Sequence, residues 1–200
     1  MVGMVFALHM SNYKIKVCLV DQKKKNIFNK QKDERTTAIS QGSSRILETI
    51  KIWKKIRPEA QPIYEILVSE GHKKKNMKFD HKKINEGPLG FIVDNKFFKK
   101  KLFEEIKKSK FITYIDDTEI KQINQNDDYG VLQTNNGPIS YKLLVAADGR
   151  FSATRFQANI KYFFHDYHQN AFVFNISHEK SHNGVALERF FPTGPMALLP

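Results

Sequence analysis

The spacing of apolar residues predicts a helix, a strand and a second helix in the first part of the chain. Residues 4–10 form an apolar run closed by a polar turn, and residues 14–21 alternate before they become continuously apolar. In the later part of segment 36–56 the apolar positions follow a helical repeat, at Ile46, Leu47, Ile50 and Trp53. Pro58 and Pro62 are expected to end this helix.

The remaining pattern predicts mostly strands and one long helix. Residues 63–70 and 76–80 are expected to form a hairpin around Gly71, and a helix is expected to begin near Asp94 or Asn95, because both residue types cap helices well. Further strands are predicted in segments 111–116, 119–125, 129–135, 139–148, 171–178 and 185–192. This mixture indicates an α/β protein with a parallel layer and antiparallel sheet.

Composition changes this picture little. The chain has 200 residues, of which 40% are hydrophobic, and it carries a formal net charge of +12. It is therefore long and apolar enough for a globular core, and the lone Cys18 favours a reducing compartment without disulfides. The lysine runs at 23–25, 73–75 and 99–101 are dispersed, without a stripe of arginines or interleaved aromatics. They indicate a solvated surface with at most weak attraction to anionic lipid, and no nucleic-acid partner is expected.

No apolar segment is long enough to span a bilayer. Residues 1–10 are apolar, but they lack the basic start and the small-residue cleavage site of a signal peptide. We therefore expect a cytoplasmic protein, with peripheral contact at the inner face of the membrane as the alternative.

Gly3 and Asp21 have the spacing of a dinucleotide-binding unit. Gly3 opens the first predicted helix and Asp21 ends the strand that follows. In such units a glycine permits close packing of helix and strand, and an acidic residue about 20 positions later binds a ribose hydroxyl. Taken alone, these two residues are better explained by an ordinary helix start followed by a strand.

The stretch 143–155, LLVAADGRFSATR, places Asp148 and Gly149 at the end of a predicted strand. The carboxyl ends of strands in open α/β sheets are where ligands bind, and a glycine lets backbone approach a ligand closely. The alternative is a simple turn, with Arg155 as a surface charge.

Two other motifs do not support a site. His165 and His168, like His178 and His182, have ligand-like spacing, but no cysteines or clustered acids accompany them, so no metal site is expected. The Gly-Ser-Ser at 42–44 does not form a nucleophile elbow, which leaves hydrolase chemistry without support.

Four stretches occur in a characteristic order, at 34–40, 90–98, 143–155 and 178–200, and the last contains RFFPTGPMALLP. Together with Gly3 they resemble the flavin-dependent aromatic-ring hydroxylases of the p-hydroxybenzoate hydroxylase type, and most of all the ubiquinone-biosynthesis hydroxylases. The resemblance implies a Rossmann-like FAD-binding parallel sheet with an antiparallel substrate-domain sheet, both incomplete.

The resemblance also implies domain bounds and cofactors. Residues 1–59 and 88–160 would form the FAD-binding domain, and residues 60–87 and 161–200 the substrate-domain sheet. FAD would be the cofactor, with NADH or NADPH as the reductant, and no side chain is implied as a nucleophile.

Site residues follow from the same resemblance. Arg35 would approach the FAD diphosphate, Asn95 would lie at a helix start facing the cofactor, and Arg155 would brace the segment that holds FAD. The full set of implied cofactor residues is Gly3, Asp21, Arg35, Asn95, Asp148, Gly149 and Arg155. The substrate-side residues would be Arg189, Pro192, Thr193, Gly194 and Pro195.

The implied reaction is hydroxylation of a prenylated phenol in ubiquinone biosynthesis. Against the family pattern, the chain is expected to be truncated at both ends, without the first strand, its two glycines and a later Gly-Asp motif. Other quinone-synthesis proteins or a separately encoded C-terminal half are expected partners. The alternatives are a non-catalytic remnant, half of a split enzyme, or a basic nucleic-acid-binding module that rests on net charge alone.

Overall fold

The computed structural model describes residues 1–24, 34–72, 77–84 and 87–200. Lys25 and the lysine run at 73–75 lie outside the described residues. The helices are α1 Val2–Asn12, α2 Gln41–Thr49, α3 Trp53–Ile56, α4 Asn95–Lys108 and α5 Ala153–Gln157. The strands are β1 Val17–Val20, β2 Thr36–Ser40, β3 Gln61–Ile63, β4 Glu65–Glu70, β5 Met77–Asp80, β6 Gly90–Asp94, β7 Ile112–Ile115, β8 Ile120–Gln125, β9 Gly130–Thr134, β10 Gly137–Tyr141, β11 Val185–Phe191 and β12 Gly194–Leu198.

The chain divides into two compact units. The first comprises Met1–Lys32 with Leu102–Phe172, and the second Asp33–Lys101 with Val173–Pro200. The domain bounds implied by the family resemblance differ from these units and stay a prediction.

The first unit contains a parallel strand pair covered by α1. Strands β1 and β7 pair in parallel, from Val17 opposite Ile112 onward. Helix α1 buries Met4, Ala7 and Leu8, which follow a helical repeat and so form one apolar face. Strands β8, β9 and β10 form a separate antiparallel sheet in the same unit.

The second unit contains two sheets. Strands β2, β6 and β3 pair antiparallel, and the ring of Trp53 meets that of Phe91 edge-on, with centroids 4.8 Å apart. The other sheet has the order β12–β11–β4–β5, in which β11 and β4 are parallel and the other pairs antiparallel. The prediction of an α/β fold with parallel and antiparallel sheet is therefore confirmed.

Most predicted elements are confirmed, but two predicted strands are wrong. The helix predicted through Ile46 and Trp53 is also interrupted, because α2 ends at Thr49 and α3 begins at Trp53. The hairpin of β4 and β5 and the helix after Asp94 form as expected. The strand predicted over 139–148 ends at Tyr141, and segment 171–178 is not a strand. Among the described residues no strand pairs with 142–147, and an apolar run becomes a strand only where a neighbouring backbone satisfies its N–H and C=O groups.

We predict that Gly90→Ala destabilises the fold. A Cβ at Gly90 would lie 2.8 Å from the carbonyl oxygen of Ile39 in the paired strand β2, so that strand would have to shift. Overpacking of this kind costs roughly 1–3 kcal/mol. Thermal unfolding followed by circular dichroism should show a lower Tm.

The matched control is Gly42→Ala, because a Cβ at Gly42 would have its nearest neighbour, the Ser40 hydroxyl oxygen, 4.0 Å away. This variant should unfold at the wild-type temperature or slightly above it, since alanine favours helix. Equal Tm values for the two variants would contradict the steric argument.

Candidate functional site

The predicted cofactor residues fall in both units. The first unit holds Gly3, Asp21, Asp148, Gly149 and Arg155, and the second holds Arg35 and Asn95. Each set is brought together by contacts within its own unit.

Gly3 lies at a point of close packing in the first unit. A Cβ at this position would be 3.2 Å from the Cβ of Ala147 and 3.5 Å from Cδ1 of Leu19. The first turn of α1 therefore lies against β1 and against the segment that leads into Asp148. This is the close approach for which dinucleotide-binding units use a glycine.

Asp21 lies at the carboxyl end of the parallel pair. Its amide donates to the carbonyl oxygen of Ile115 at 2.9 Å, and its carbonyl oxygen accepts from the amide of Thr118 at 3.1 Å. Its carboxylate accepts from the amide of Lys23 at 2.9 Å. These bonds hold the carboxylate at the sheet edge where α/β proteins bind ligands.

Tyr114 places a buried hydroxyl close to this edge. Its ring meets Phe103 edge-on at 5.2 Å, and its hydroxyl finds no hydrogen-bond partner among the residues that the structure describes. Burial, and then the negative charges of Asp21 and Asp116, raise the pKa of Tyr114 well above its usual range. Sequence reasoning missed this residue, because a tyrosine within an apolar strand carries no functional signal.

Asp148 is the centre of a small hydrogen-bond network. Its carboxylate accepts from the hydroxyl of Ser152 at 2.5 Å and from the amide of Thr154 at 3.0 Å. Partial burial by itself raises the pKa of Asp148, but these hydrogen bonds outweigh it and hold the pKa below its ordinary value. Gly149 follows with φ +95°, a conformation that favours glycine.

Arg155 is tied to the same segment. Its amide donates to the Ser152 hydroxyl oxygen at 2.9 Å, which caps α5, and its Nη2 donates to the carbonyl oxygen of Arg150 at 3.3 Å. The guanidinium lies 3.9 Å from the ring centroid of Tyr162. The Arg155 guanidinium therefore lies between the Arg150 carbonyl and the Tyr162 ring.

In the second unit, Arg35 and Asn95 are neighbours. The amide of Asn95 donates to the carbonyl oxygen of Arg35 at 3.1 Å, which places Arg35 beside the N-terminus of α4. The side chain that caps this helix is Asp94, whose carboxylate accepts from the amide of Phe97 at 2.6 Å. The buried carboxamide of Asn95 accepts a hydrogen bond from the Thr37 hydroxyl instead.

The predicted substrate-side residues lie on β11, β12 and the corner between them. Arg189 is on β11, and its Nε donates to the Ser69 hydroxyl oxygen at 3.1 Å. Pro192 and Thr193 form the turn of the hairpin.

Gly194 and Pro195 open β12. Gly194 pairs with Phe191 and has φ +136°, whereas Pro195 pairs with Phe190. The glycine therefore provides the backbone conformation that lets the chain reverse at this corner.

The histidines have structural contacts. The rings of His178 and His182 lie 5.9 Å apart, and Nδ1 of His182 accepts from the amide of Gly184 at 3.0 Å. Within the described ranges, no group of three His, Cys, Asp or Glu residues could hold a metal ion.

Among the same described residues, no helix is long and apolar enough to cross a membrane.

Solved structures share this fold. The p-nitrophenol 4-monooxygenase PnpA of Pseudomonas putida matches 78% of this chain and 40% of its own, with a TM-score of 0.64 and 19% identity. PqsL of Pseudomonas aeruginosa, a probable FAD-dependent monooxygenase, matches 82% of this chain with 44% of its own length, at a TM-score of 0.65 and 15% identity. The fold is thus that of FAD-dependent monooxygenases.

The family of this chain is identified by sequence matches. The family described as FAD binding domain matches residues 1–188, and the chain belongs to this family. Ubiquinone hydroxylase UbiL of Rhodospirillum rubrum is 30% identical over 169 residues, which are 84% of this chain and 39% of that protein. Ubiquinone hydroxylase UbiM of Neisseria meningitidis is 28% identical over 205 residues, which are 99% of this chain and 44% of that protein. The chain spans less than half the length of these relatives.

We predict that Asp148→Asn lowers stability in a pH-dependent way. The folded-state pKa lies below the unfolded value of about 3.9, so the ionised carboxylate stabilises the fold above that pH. This contribution is lost as the pH falls through the folded pKa. In urea unfolding the variant should be less stable than wild type near neutral pH by well under about 1 kcal/mol, because solvent screens this largely exposed carboxylate, and the difference should shrink below about pH 4.

Asp127→Asn is the control, because Asp127 is exposed in the turn between β8 and β9. It should leave stability unchanged at both pH values. A constant deficit for Asp148→Asn at all pH values would show that its charge is not what the network stabilises.

Proposed function

We propose that this chain carries the nucleotide side of an FAD-dependent monooxygenase that hydroxylates a prenylated phenolic ring in ubiquinone biosynthesis. The observation that carries the proposal is the close packing of Gly3 on Leu19 and Ala147, with Asp21 at the carboxyl end of the parallel pair. The family match over residues 1–188 supports FAD as the nucleotide. The names of the relatives support a substrate from ubiquinone biosynthesis.

The residues present fit FAD. Gly3 lets the first turn of α1 pack closely on Leu19 and Ala147, and the N-terminus of that helix would face a bound pyrophosphate. In the other unit, the Arg35 backbone lies at the N-terminus of α4, and a guanidinium there suits a diphosphate because its fork pairs with phosphate oxygens. When bound, FAD supplies the redox chemistry by which oxygen is activated.

In this proposal the residues of the chain bind the cofactor and orient it. In this proposal the Asp21 carboxylate accepts a hydrogen bond from a ribose hydroxyl, and Arg35 neutralises phosphate charge. Asp148 is ionised near neutral pH, and the hydrogen bonds from Ser152 and Thr154 fix the position of its carboxylate. That charge offers a fixed acceptor for hydroxyls of the cofactor chain.

The proposal also includes a reductant, partner proteins and a cellular location. NADH or NADPH would reduce the flavin, and a prenylated phenol would be the substrate. Other quinone-synthesis proteins, or a polypeptide with the C-terminal part of the family, would be partners. The protein would act in the cytoplasm, or peripherally at the inner face of the membrane, where a prenylated substrate is dissolved.

We predict that Arg35→Gln weakens FAD binding. Loss of one hydrogen-bonded contact to a charged group costs roughly 1.5–3 kcal/mol, which corresponds to about tenfold or more in Kd. Titration of the purified chain with FAD, followed by quenching of flavin fluorescence, measures the change.

Arg57→Gln is the matched control, because Arg57 is an exposed arginine on a short 3-10 helix in the same unit. It should bind FAD as wild type does. The proposal would be overturned by a wild-type chain that does not quench flavin at all, or by equal Kd values for the two variants.

A further inference from the structure

The chain contains two Asn-Gly dipeptides, at Asn136–Gly137 and at Asn183–Gly184. An asparagine followed by glycine is prone to deamidation, because glycine has no side chain to hinder attack of its backbone nitrogen on the neighbouring carboxamide. In a folded chain the rate depends on how firmly the carboxamide is held and on what removes the proton from the glycine nitrogen. The two dipeptides differ in both respects.

The carboxamide of Asn136 is held by the fold. Its Nδ2 donates to the carbonyl oxygen of Asp117 at 3.1 Å and to the hydroxyl oxygen of Thr118 at 2.8 Å. Thr118 is buried, so the second hydrogen bond is shielded from water. The carboxamide would have to break both bonds to reach the Gly137 nitrogen, and we therefore expect Asn136 to react slowly.

Asn183 lies in the turn that leads into β11, and its side chain is exposed. Its backbone amide donates to the Ser181 hydroxyl oxygen at 3.2 Å, but among the described residues no hydrogen bond restrains its carboxamide. Rotation within Asn183 itself can therefore bring Cγ toward the Gly184 nitrogen without the loss of a side-chain hydrogen bond.

A base lies next to the nucleophile of this second dipeptide. The Gly184 amide donates to Nδ1 of His182 at 3.0 Å. Because a backbone N–H can only donate, Nδ1 is the unprotonated nitrogen of a neutral imidazole, and Nε2 carries the proton. A base within hydrogen-bond distance of the proton that it removes meets the geometric requirement for general-base catalysis.

We propose that Asn183 is a site of spontaneous deamidation and that His182 acts as the general base. The imidazole takes the proton from the Gly184 nitrogen while that nitrogen forms a bond to Cγ of Asn183. The bond from Cγ to Nδ2 then breaks, and Nδ2 takes up the proton from the imidazole and leaves as ammonia. Water opens the resulting five-membered succinimide at either carbonyl, which gives aspartate or isoaspartate without any oxidation or reduction.

The isoaspartate product would weaken the start of strand β11. Its backbone passes through Cβ and is one carbon longer, directly before the Gly184 carbonyl oxygen, which accepts from the amides of Tyr64 at 2.8 Å and Glu65 at 3.4 Å. There is little room for a shift, since an added Cβ at Gly184 would lie 2.5 Å from the Tyr64 ring. Deamidation at Asn183 should therefore loosen the pairing of β11 with β4.

The test compares the two dipeptides within one wild-type chain. The chain is incubated near neutral pH at physiological temperature, and conversion of each asparagine is followed by peptide mass spectrometry. Asn183 should deamidate about tenfold or more faster than Asn136, because a positioned base contributes roughly 10²–10⁴-fold. In urea, where both turns unfold, the two rates should become similar, since neither the restraint nor the base then acts.

Variants identify the base. His182→Phe keeps a ring but removes the acceptor, so Asn183 should deamidate about tenfold or more slowly. His178→Phe is the matched control, because the His178 ring lies beside that of His182, with centroids 5.9 Å apart, whereas the Gly184 amide donates to His182. It should keep the wild-type rate, and circular dichroism shows whether each variant is folded.

The deamidated chain can be separated from the intact chain by ion exchange, because it carries one more negative charge. It should unfold at a lower Tm, as expected from the longer backbone before β11. An equal Tm of the two forms would contradict this consequence.

Equal deamidation rates of Asn136 and Asn183 in the folded wild-type chain would overturn the assignment without any variant. An unchanged rate at Asn183 in folded His182→Phe would show that the imidazole is not the base.

Discussion

The lack of a side chain at Gly3 lets the first turn of α1 lie against both Leu19 and Ala147. A Cβ at this position would lie 3.2 Å from that of Ala147, so helix and segment would have to separate by a few tenths of an ångström. Asp21 closely follows Leu19 and Asp148 follows Ala147, so the segments that end in these two acidic residues both contact the first turn of α1. The positive end of the helix dipole then favours an anionic ligand at the same place.

Local hydrogen bonds hold the other polar groups of the candidate site. Asp148 is fixed by Ser152 and Thr154, and Asn95 by Thr37, so these side chains lose little further freedom when a ligand binds. Tyr114 is different, because its buried hydroxyl has no partner within the described residues and leaving such a group unpaired is costly. Within the described residues, Tyr141 and Arg155 of the first unit also carry a buried polar atom without a hydrogen-bond partner, so such groups are not confined to the edge beside Asp21.

Under the proposed function the bound cofactor supplies the reactivity, so the residues of this chain would only have to bind it and orient it. The net charge of +12 comes largely from dispersed lysines, and a charge of this kind does not distinguish one function from another.

Local patterns in the sequence determined the elements whose signals are local. Helix α4 follows Asp94, the β4–β5 hairpin forms around Gly71, and the RFFPTGP segment turns at Pro192, because capping and turn preferences act over a few residues. The family motifs likewise named Arg35 and Asn95.

Only the tertiary structure decided what depends on distant neighbours. Apolar runs at 142–147 and 171–178 resemble strands but lack a paired backbone among the described residues. The tertiary structure also brings the Asn95 amide to the carbonyl oxygen of Arg35, and the Arg189 guanidinium to the hydroxyl oxygen of Ser69. Both contacts join residues that are far apart in the chain. Hydrophobic periodicity reports which face of a segment is buried, and it carries no information about which partner buries it.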